Sequence, residues 1–420
     1  MRPRTDHREG DTMHRRDFLK TTGGLALASG AAWTAGHSFA ADPPLGPPEL
    51  PQGMLDSSVL DTLAGKVPLI KRTWRPPNFE TPVSYFAEAF TPNNAFFVRW
   101  HLSNIPEVAA ATWRLKIGGE AAGTPFEVSL EQLKRDFEQV EIAAVCQCSG
   151  NRRGMFQPHV PGVEWGLGAM GNARWKGARL KDVLAKAALR KEALEIVFDG
   201  ADGGSFPGTP DFVKSIPIWK ALDENVLIAY EMNGAPLPHW NGFPARIVVP
   251  GWTATYWMKQ VVSISASAKP YDGFWMKSAY RIPRARFPVV ERFATQETDV
   301  ATPITEMVVN SLITNLAAGQ QVPLGRALEV KGIAWDGGYG IARVEVSSDG
   351  GQSWRTATLG TDYGRFSFRP WSFSLNPERG ALTLMARATN RSGATQTFEL
   401  IPNPAGYHHN VVQRVALTVT

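Results

Sequence analysis

Cysteine is nearly absent from this chain: there are two in 420 residues, and both fall in the tripeptide Cys146-Gln147-Cys148. A pair one residue apart cannot build a disulfide framework, and no C-x-x-C-H haem-attachment motif occurs. Long hydrophobic runs are missing, so no stretch is a comfortable membrane span. Long basic runs are missing too. The formal net charge is +5, and residues 1–40 hold six Lys/Arg against four Asp/Glu, which leaves +3 on the remainder. So mild an excess, without clusters, argues against a nucleic-acid partner. What is present is the composition of an ordinary globular protein, 43% hydrophobic and 20% charged, long enough for two or three domains. No internal repeat is visible.

The N-terminus carries an address. Arg15-Arg16 is followed by Phe18, Leu19 and Lys20, then a weakly apolar Gly/Ala-rich run that ends in Ser38-Phe39-Ala40, small residues suited to a cleavage site. This pattern is that of a twin-arginine export signal over residues 1–40, with Met13 as an alternative start. That route carries folded proteins, commonly loaded with a cofactor beforehand, so a periplasmic protein with a large bound cofactor is expected.

Residues 41–59 are Pro-rich and read as an extended arm. From 60 to 290 short β-rich runs (FFVRWHL, RIVVPG, VVSISA) alternate with helical stretches such as ARLKDVLAKAAL, the mixture of an α+β domain. Residues 284–305 read as a polar, Pro-punctuated linker. From 300 to 420 short alternating strands recur between Gly turns, as in EVKGIAWD, ARVEVSSDGG and ALTLMARATNRSG. That spacing predicts an immunoglobulin-like β-sandwich.

The segment CQCSGNRRG sets small residues and two guanidiniums directly behind Cys148. A thiolate there is stabilised in its charged form. Three uses fit: a nucleophile, a soft metal ligand, or a small buried hydrophobe. His101, His159 and His239 form no protease-like arrangement around it, and two cysteines with scattered histidines lack zinc-site spacing. A soft thiolate on a metal whose other ligands belong to an organic cofactor meets neither difficulty.

QCSGNRRG resembles the molybdenum-ligating segment of the sulfite oxidase family. Further blocks follow in family order: FFVRWH (96–101), WGLGAMGNARWKGARLKDVL (165–184), FDGAD (198–202), LIAYEMNGAPLP (227–238), GFPARIVVPGW (242–252) and YWMKQV (256–261). The C-terminal part, from VNSLIT through GIAWDGGYGIARVEVSSDGGQSW, resembles the family's immunoglobulin-like dimerisation domain. The resemblance implies a mixed α+β molybdopterin-binding domain followed by that sandwich, with Cys148 on molybdenum and Cys146 as packing. It implies Arg99, Arg153, Trp165 and Tyr230 around an anion pocket, with His101 beside them. Molybdopterin contacts would be His101, Asp202, Asn241, Arg246 and Lys259. Guanidiniums suit this task because they offer planar, permanently charged donors to oxyanions and phosphate.

Two departures stand out. Asn241 occupies a position where animal relatives usually have histidine. Where those relatives carry a third substrate arginine, in NPAGYHHN, this chain has Ala405, with His408 and His409 as partial substitutes. The implied activity is oxidation of sulfite to sulfate, with electrons passed to an external c-type cytochrome or haem subunit, by a homodimer. A sulfane-sulfur dehydrogenase subunit and a periplasmic methionine sulfoxide reductase are the nearest rivals. A rival of another class rests on Ser347, Asp349, Gly351 and Trp354, which fit the S-x-D-x-G-x-x-W hairpin of sialidase-like sugar binders. Propellers repeat that hairpin, however, and a tight turn explains the single copy.

Overall fold

The computed structural model describes residues 60–284, 286–287 and 293–420. The expected twin-arginine signal and Pro-rich arm lie outside the described residues. Four short strands open the fold as an antiparallel sheet: β1 (Leu60–Asp61), β2 (Leu69–Thr73), β3 (Asn78–Glu80) and β4 (Val98–Arg99). The run FFVRWHL is therefore a strand only at its centre, and its flanks turn into the core and the site.

Next come β5 (Arg114–Gly118), β6 (Phe126–Ser129), α1 (Leu130–Asp136), β7 (Gln139–Gln147), β8 (Met170–Arg179), α2 (Leu180–Lys186), β9 (Glu195–Gly200), β10 (Lys214–Pro217), α3 (Ile218–Ala221), β11 (Leu227–Met232), β12 (Ala235–Pro236), β13 (Arg246–Val248) and β14 (Val261–Ser267). They sort into two sheets, β10-β9-β14-β5-β6 and β12-β11-β8-β7 with β13 on β11, and only β14 and β5 pair in parallel. The start of α1 is written locally: the Ser129 hydroxyl accepts from Gln132 N–H, and Gln132 Oε1 accepts from Ser129 N–H, a reciprocal capping box. Leu130 and Leu133 then face the core.

The stretch read as a linker holds ordered structure in its described part. A strand β15 (Arg281–Pro283) pairs with β16 (Ala301–Pro303). Beyond it, two sheets stack as a sandwich. One is β17 (Asn310–Ile313), β19 (Leu328–Trp335), β23 (Arg369–Leu375) and β22 (Thr358–Leu359). The other is β18 (Gln321–Val322), β25 (Gln413–Val419), β24 (Gly380–Asn390), β20 (Ile341–Ser347) and β21 (Arg355–Thr356). Alternating strands such as QRVALTV bury Val415, Leu417 and Val419 and expose the residues between.

The sandwich is fastened to the strand that carries the cysteines. Val145 and Met170 pack with Leu312, Ile333, Trp335 and Phe368 in a shared core. Val145 N–H donates to Phe366 O at 2.9 Å, and Trp335 Nε1 donates to Gln147 Oε1 at 2.6 Å. Gln147 lies between the two cysteines, so the C-terminal sandwich braces the site directly.

Candidate active site

β7 and β8 run antiparallel with Cys146 opposite Gly171. A Cβ at Gly171 would stand 2.5 Å from the Phe96 ring, so glycine lets that ring close over the strand. Past β7 the chain turns sharply. Cys148 N–H donates to Ala169 O at 2.9 Å, Asn151 N–H to Cys148 O at 3.0 Å, and Arg153 N–H to Gly150 O at 2.9 Å. A Cβ at Gly150 would sit 2.4 Å from Arg153 Nη2, so the small residue there makes room for the guanidinium.

The two arginines part company. Arg152 takes a left-handed conformation (φ 67°), is buried, and donates to Ser311 O at 3.0 Å and Val411 O at 3.3 Å in the sandwich. Arg153 donates from Nε to Ala405 O at 2.8 Å and from Nη1 to Val163 O at 3.1 Å, and lies over the Tyr407 ring at 5.2 Å.

Cys148 lines a small cleft open to solvent on one side. Its walls bring together Arg99, His101, Cys146, Asn241, Arg246 and Lys259 from four separated stretches of sequence. Phe96, Phe97, Phe212 and Trp257 close the apolar sides. Tyr280 completes the wall.

Arg246 donates to Asn241 O and Trp257 O, both at 3.0 Å, and its Nη2 lies 3.9 Å from Cys146 Sγ. Burial pushes the Cys146 thiol up to about 11 against the pull of Arg246, so it stays protonated and serves as packing. Lys259 hangs over the Trp100 ring at 4.3 Å. Burial brings its ammonium down to about 8, with neighbouring Asp202 opposing that shift. Asp202 is buried behind this wall, where desolvation raises its carboxyl and Lys259 holds it down.

His101 stacks on Phe212, with centroids 3.6 Å apart and planes at 12°, and its Nε2 is hydrogen-bonded to the Tyr280 hydroxyl. Desolvation, then Arg99, Lys259 and Lys214, keep its imidazole neutral. Tyr280 stacks in turn on Tyr407 at 5.7 Å and 7°. Its hydroxyl is raised by burial, while Arg99 and Arg153 pull it down and Cys148 raises it further. Tyr280 thus stands where the thiol and both substrate-type arginines converge.

Several sequence expectations need correction. Tyr230 does not line the cleft: it sits on β11, buried, with Lys134 Nζ 5.3 Å from its ring and its hydroxyl without a partner among the described residues. Tyr280 occupies the place expected of it. The only sequence signal was a tyrosine beside arginine in Ala279-Tyr280-Arg281, between aromatic-rich and β segments. Trp165 is fully buried, carries Gly154 N–H on its carbonyl at 3.0 Å, and backs the arginine turn without lining the cleft. Arg153 approaches through the Tyr280–Tyr407 pair and is likewise absent from the lining. His408 and His409 are buried and neutral, brought to about 3 by desolvation. His408 lies against Phe287 and His409 against Phe156, so neither replaces the third arginine.

The donor set fits a polyanionic organic cofactor with one soft metal. His101 Nδ1, Ser149 Oγ, Arg246 Nε and Thr255 Oγ1 all belong to cleft-lining residues, are buried, and lack partners among the described residues. Orphaned buried polar atoms are costly, and four on one cleft mark the seat of a polar ligand. The "Oxidoreductase molybdopterin binding domain" family matches residues 101–275, and the "Mo-co oxidoreductase dimerisation domain" family matches 301–420. Chicken sulfite oxidase (Gallus gallus) is 35% identical over 360 residues, covering 81% of this chain and 76% of that protein.

The chain belongs to the sulfite oxidase family. Its cofactor is molybdenum held by molybdopterin. Among other family members, rat mitochondrial sulfite oxidase (Rattus norvegicus) is 35% identical over 82% of this chain, which spans 64% of the rat protein's length. Barley NADH nitrate reductase (Hordeum vulgare) is 30% identical over 84% of this chain and 41% of its own. The sulfane dehydrogenase SoxCD from Paracoccus pantotrophus superposes with a TM-score of 0.70 over 96% of this chain and 98% of that one; at 24% identity the likeness shows the fold.

Proposed function

We propose that this sulfite oxidase family member is a periplasmic sulfite dehydrogenase, exported folded by its twin-arginine signal. In this reading it acts as a homodimer and hands electrons to a c-type cytochrome or a haem subunit. One juxtaposition carries the reading: Cys148, Arg99 and the His101–Tyr280 pair share one small cleft, with Arg153 over the ring of Tyr407, which stacks on Tyr280. Cys148 would hold the molybdenum, and Arg246 and Lys259 the pterin phosphate, while His101 and Asn241 flank the ring system and Asp202 steadies Lys259. When bound, the cofactor supplies two-electron oxygen-atom transfer to the substrate.

The chain's own residues do the rest. Arg99 and Arg153 place permanent positive charge where a sulfite-sized dianion would lie, in a site whose aromatic walls keep water out and strengthen the attraction. The Tyr280 hydroxyl, held by neutral His101, is aimed without reorganisation at an oxyanion and can pass a proton to or from that imidazole. Purified loaded protein should contain near-stoichiometric molybdenum and reduce cytochrome c on addition of sulfite. Loaded protein that ignores sulfite ends this reading. Ala405 favours one alternative, the sulfane-sulfur dehydrogenase: a pocket with one cation fewer suits a less charged, protein-bound persulfide. Turnover on the two substrates compared side by side separates them.

A further inference from the structure

Lys66 lies outside the matched family regions, in the loop between β1 and β2, yet it is buried. Its ammonium uses all three N–H donors: to Asn93 O at 2.7 Å, Phe96 O at 3.0 Å and Asn241 Oδ1 at 2.6 Å. Asn241 Nδ2 donates to Phe97 O at 3.0 Å, so both ends of the asparagine amide are held by the protein. One lysine therefore ties together the segment that leads into Arg99 and His101 and the residue next to Arg246. Its three partners are neutral oxygens; among the described residues no carboxylate pairs with it, and burial alone brings it down to about 7.

A buried charge without a counter-charge is expensive. The cations nearest the cleft wall it supports are Arg99, Arg246 and Lys259, with the Asp202 carboxyl beside Lys259 facing them. With Lys66 this makes four cations to one carboxyl, an excess that an anionic ligand in the cleft would balance.

We propose that Lys66 is a positioning residue of the molybdopterin cleft: it locks the Asn241 amide and the 93–97 segment in place, and the anionic cofactor is its counter-ion. Lys66 does not touch the cofactor, since its donors are spent; it acts through Asn241 and through its field.

The test compares cofactor-loaded and cofactor-free preparations of the wild type, Lys66→Met, Lys66→Gln, Asn241→Ala and the Lys66→Met/Asn241→Ala double variant. Lys66→Gln keeps a donor while dropping the charge, so a folded variant is available. Two quantities are read: molybdenum and pterin retained per chain during dialysis, and the rise in melting temperature on cofactor loading. The expected result is loss of cofactor about 10–100-fold faster in both lysine variants, a smaller melting rise, and a double variant no worse than the sum of its parts. Equal retention and an equal melting rise in wild type and Lys66→Gln, or a drop in melting temperature identical with and without cofactor, would overturn the proposal. Sulfite turnover plays no part in these readouts, so loss of the sulfite reading would leave this one intact.

Discussion

Arg153 Nε donates to the carbonyl of Ala405 at 2.8 Å, across 252 residues of sequence. The residue that replaces the animal family's third arginine thus orients one of the two arginines that remain. Because the bond is made to a main-chain oxygen, a loop of the sandwich, not a side chain, sets where that guanidinium lies.

Replacing Arg153 with Gln should raise KM for sulfite more than it lowers kcat. A charged hydrogen-bonding group contributes about 1.5–3 kcal/mol, so a rise of roughly 10–150-fold is expected from steady-state kinetics in low-salt buffer. Ala405→Arg should act in the opposite sense, lowering KM and steepening its dependence on ionic strength.

Tyr280→Phe and Tyr230→Phe form a matched pair. The first removes the hydroxyl bonded to His101 Nε2 and should reduce kcat/KM by about 10–100-fold, with an altered pH profile. The second removes a hydroxyl without a partner among the described residues, so stability and turnover should stay within about 0.5 kcal/mol of wild type. The reverse ranking would return the site to Tyr230.

Cys148→Ser and Arg246→Ala should separate the two halves of the cofactor. The serine variant loses the soft ligand and with it sulfite turnover, but keeps pterin. The alanine variant loses pterin itself. Metal analysis and the fluorescence of pterin released on denaturation report the two quantities independently.

Acid should destabilise the fold through His408 and His409. Their imidazoles are held at about 3 by burial, against about 6.5 in the unfolded chain. Between those values the unfolded state binds protons that the folded state refuses, so stability falls as pH falls. From pH 7 to 5 the loss is about 2 kcal/mol per histidine. Urea midpoints at the two pH values should show it, and His409→Gln should remove about half of this contribution.

The blocks around Cys148, Arg99 and Arg246 were legible because each is a local pattern: small residues after a thiol, an arginine two residues before a histidine, an arginine beside an apolar run. Tyr230 was misleading for a physical reason. β11 is buried on both faces, Leu227 through Tyr230 all being enclosed, so no alternation of polar and apolar residues tells which side chain meets a site. Lys66 gave no signal, because a lone lysine in a loop reads as solvated until the fold encloses it.

By itself, then, the amino-acid order determined the family, the α+β unit followed by a sandwich, and the cysteine and most of the cations that meet in the cleft, since each is encoded within a few neighbouring residues. Only the folded chain decided that Tyr280 and not Tyr230 lines the cleft, that Arg153 bonds the Ala405 carbonyl, that the paired histidines are buried and neutral, and that Lys66 bonds Asn241. Those relations join residues dozens to hundreds of positions apart, and packing, which excludes water and selects partners by distance, brings them together only in three dimensions.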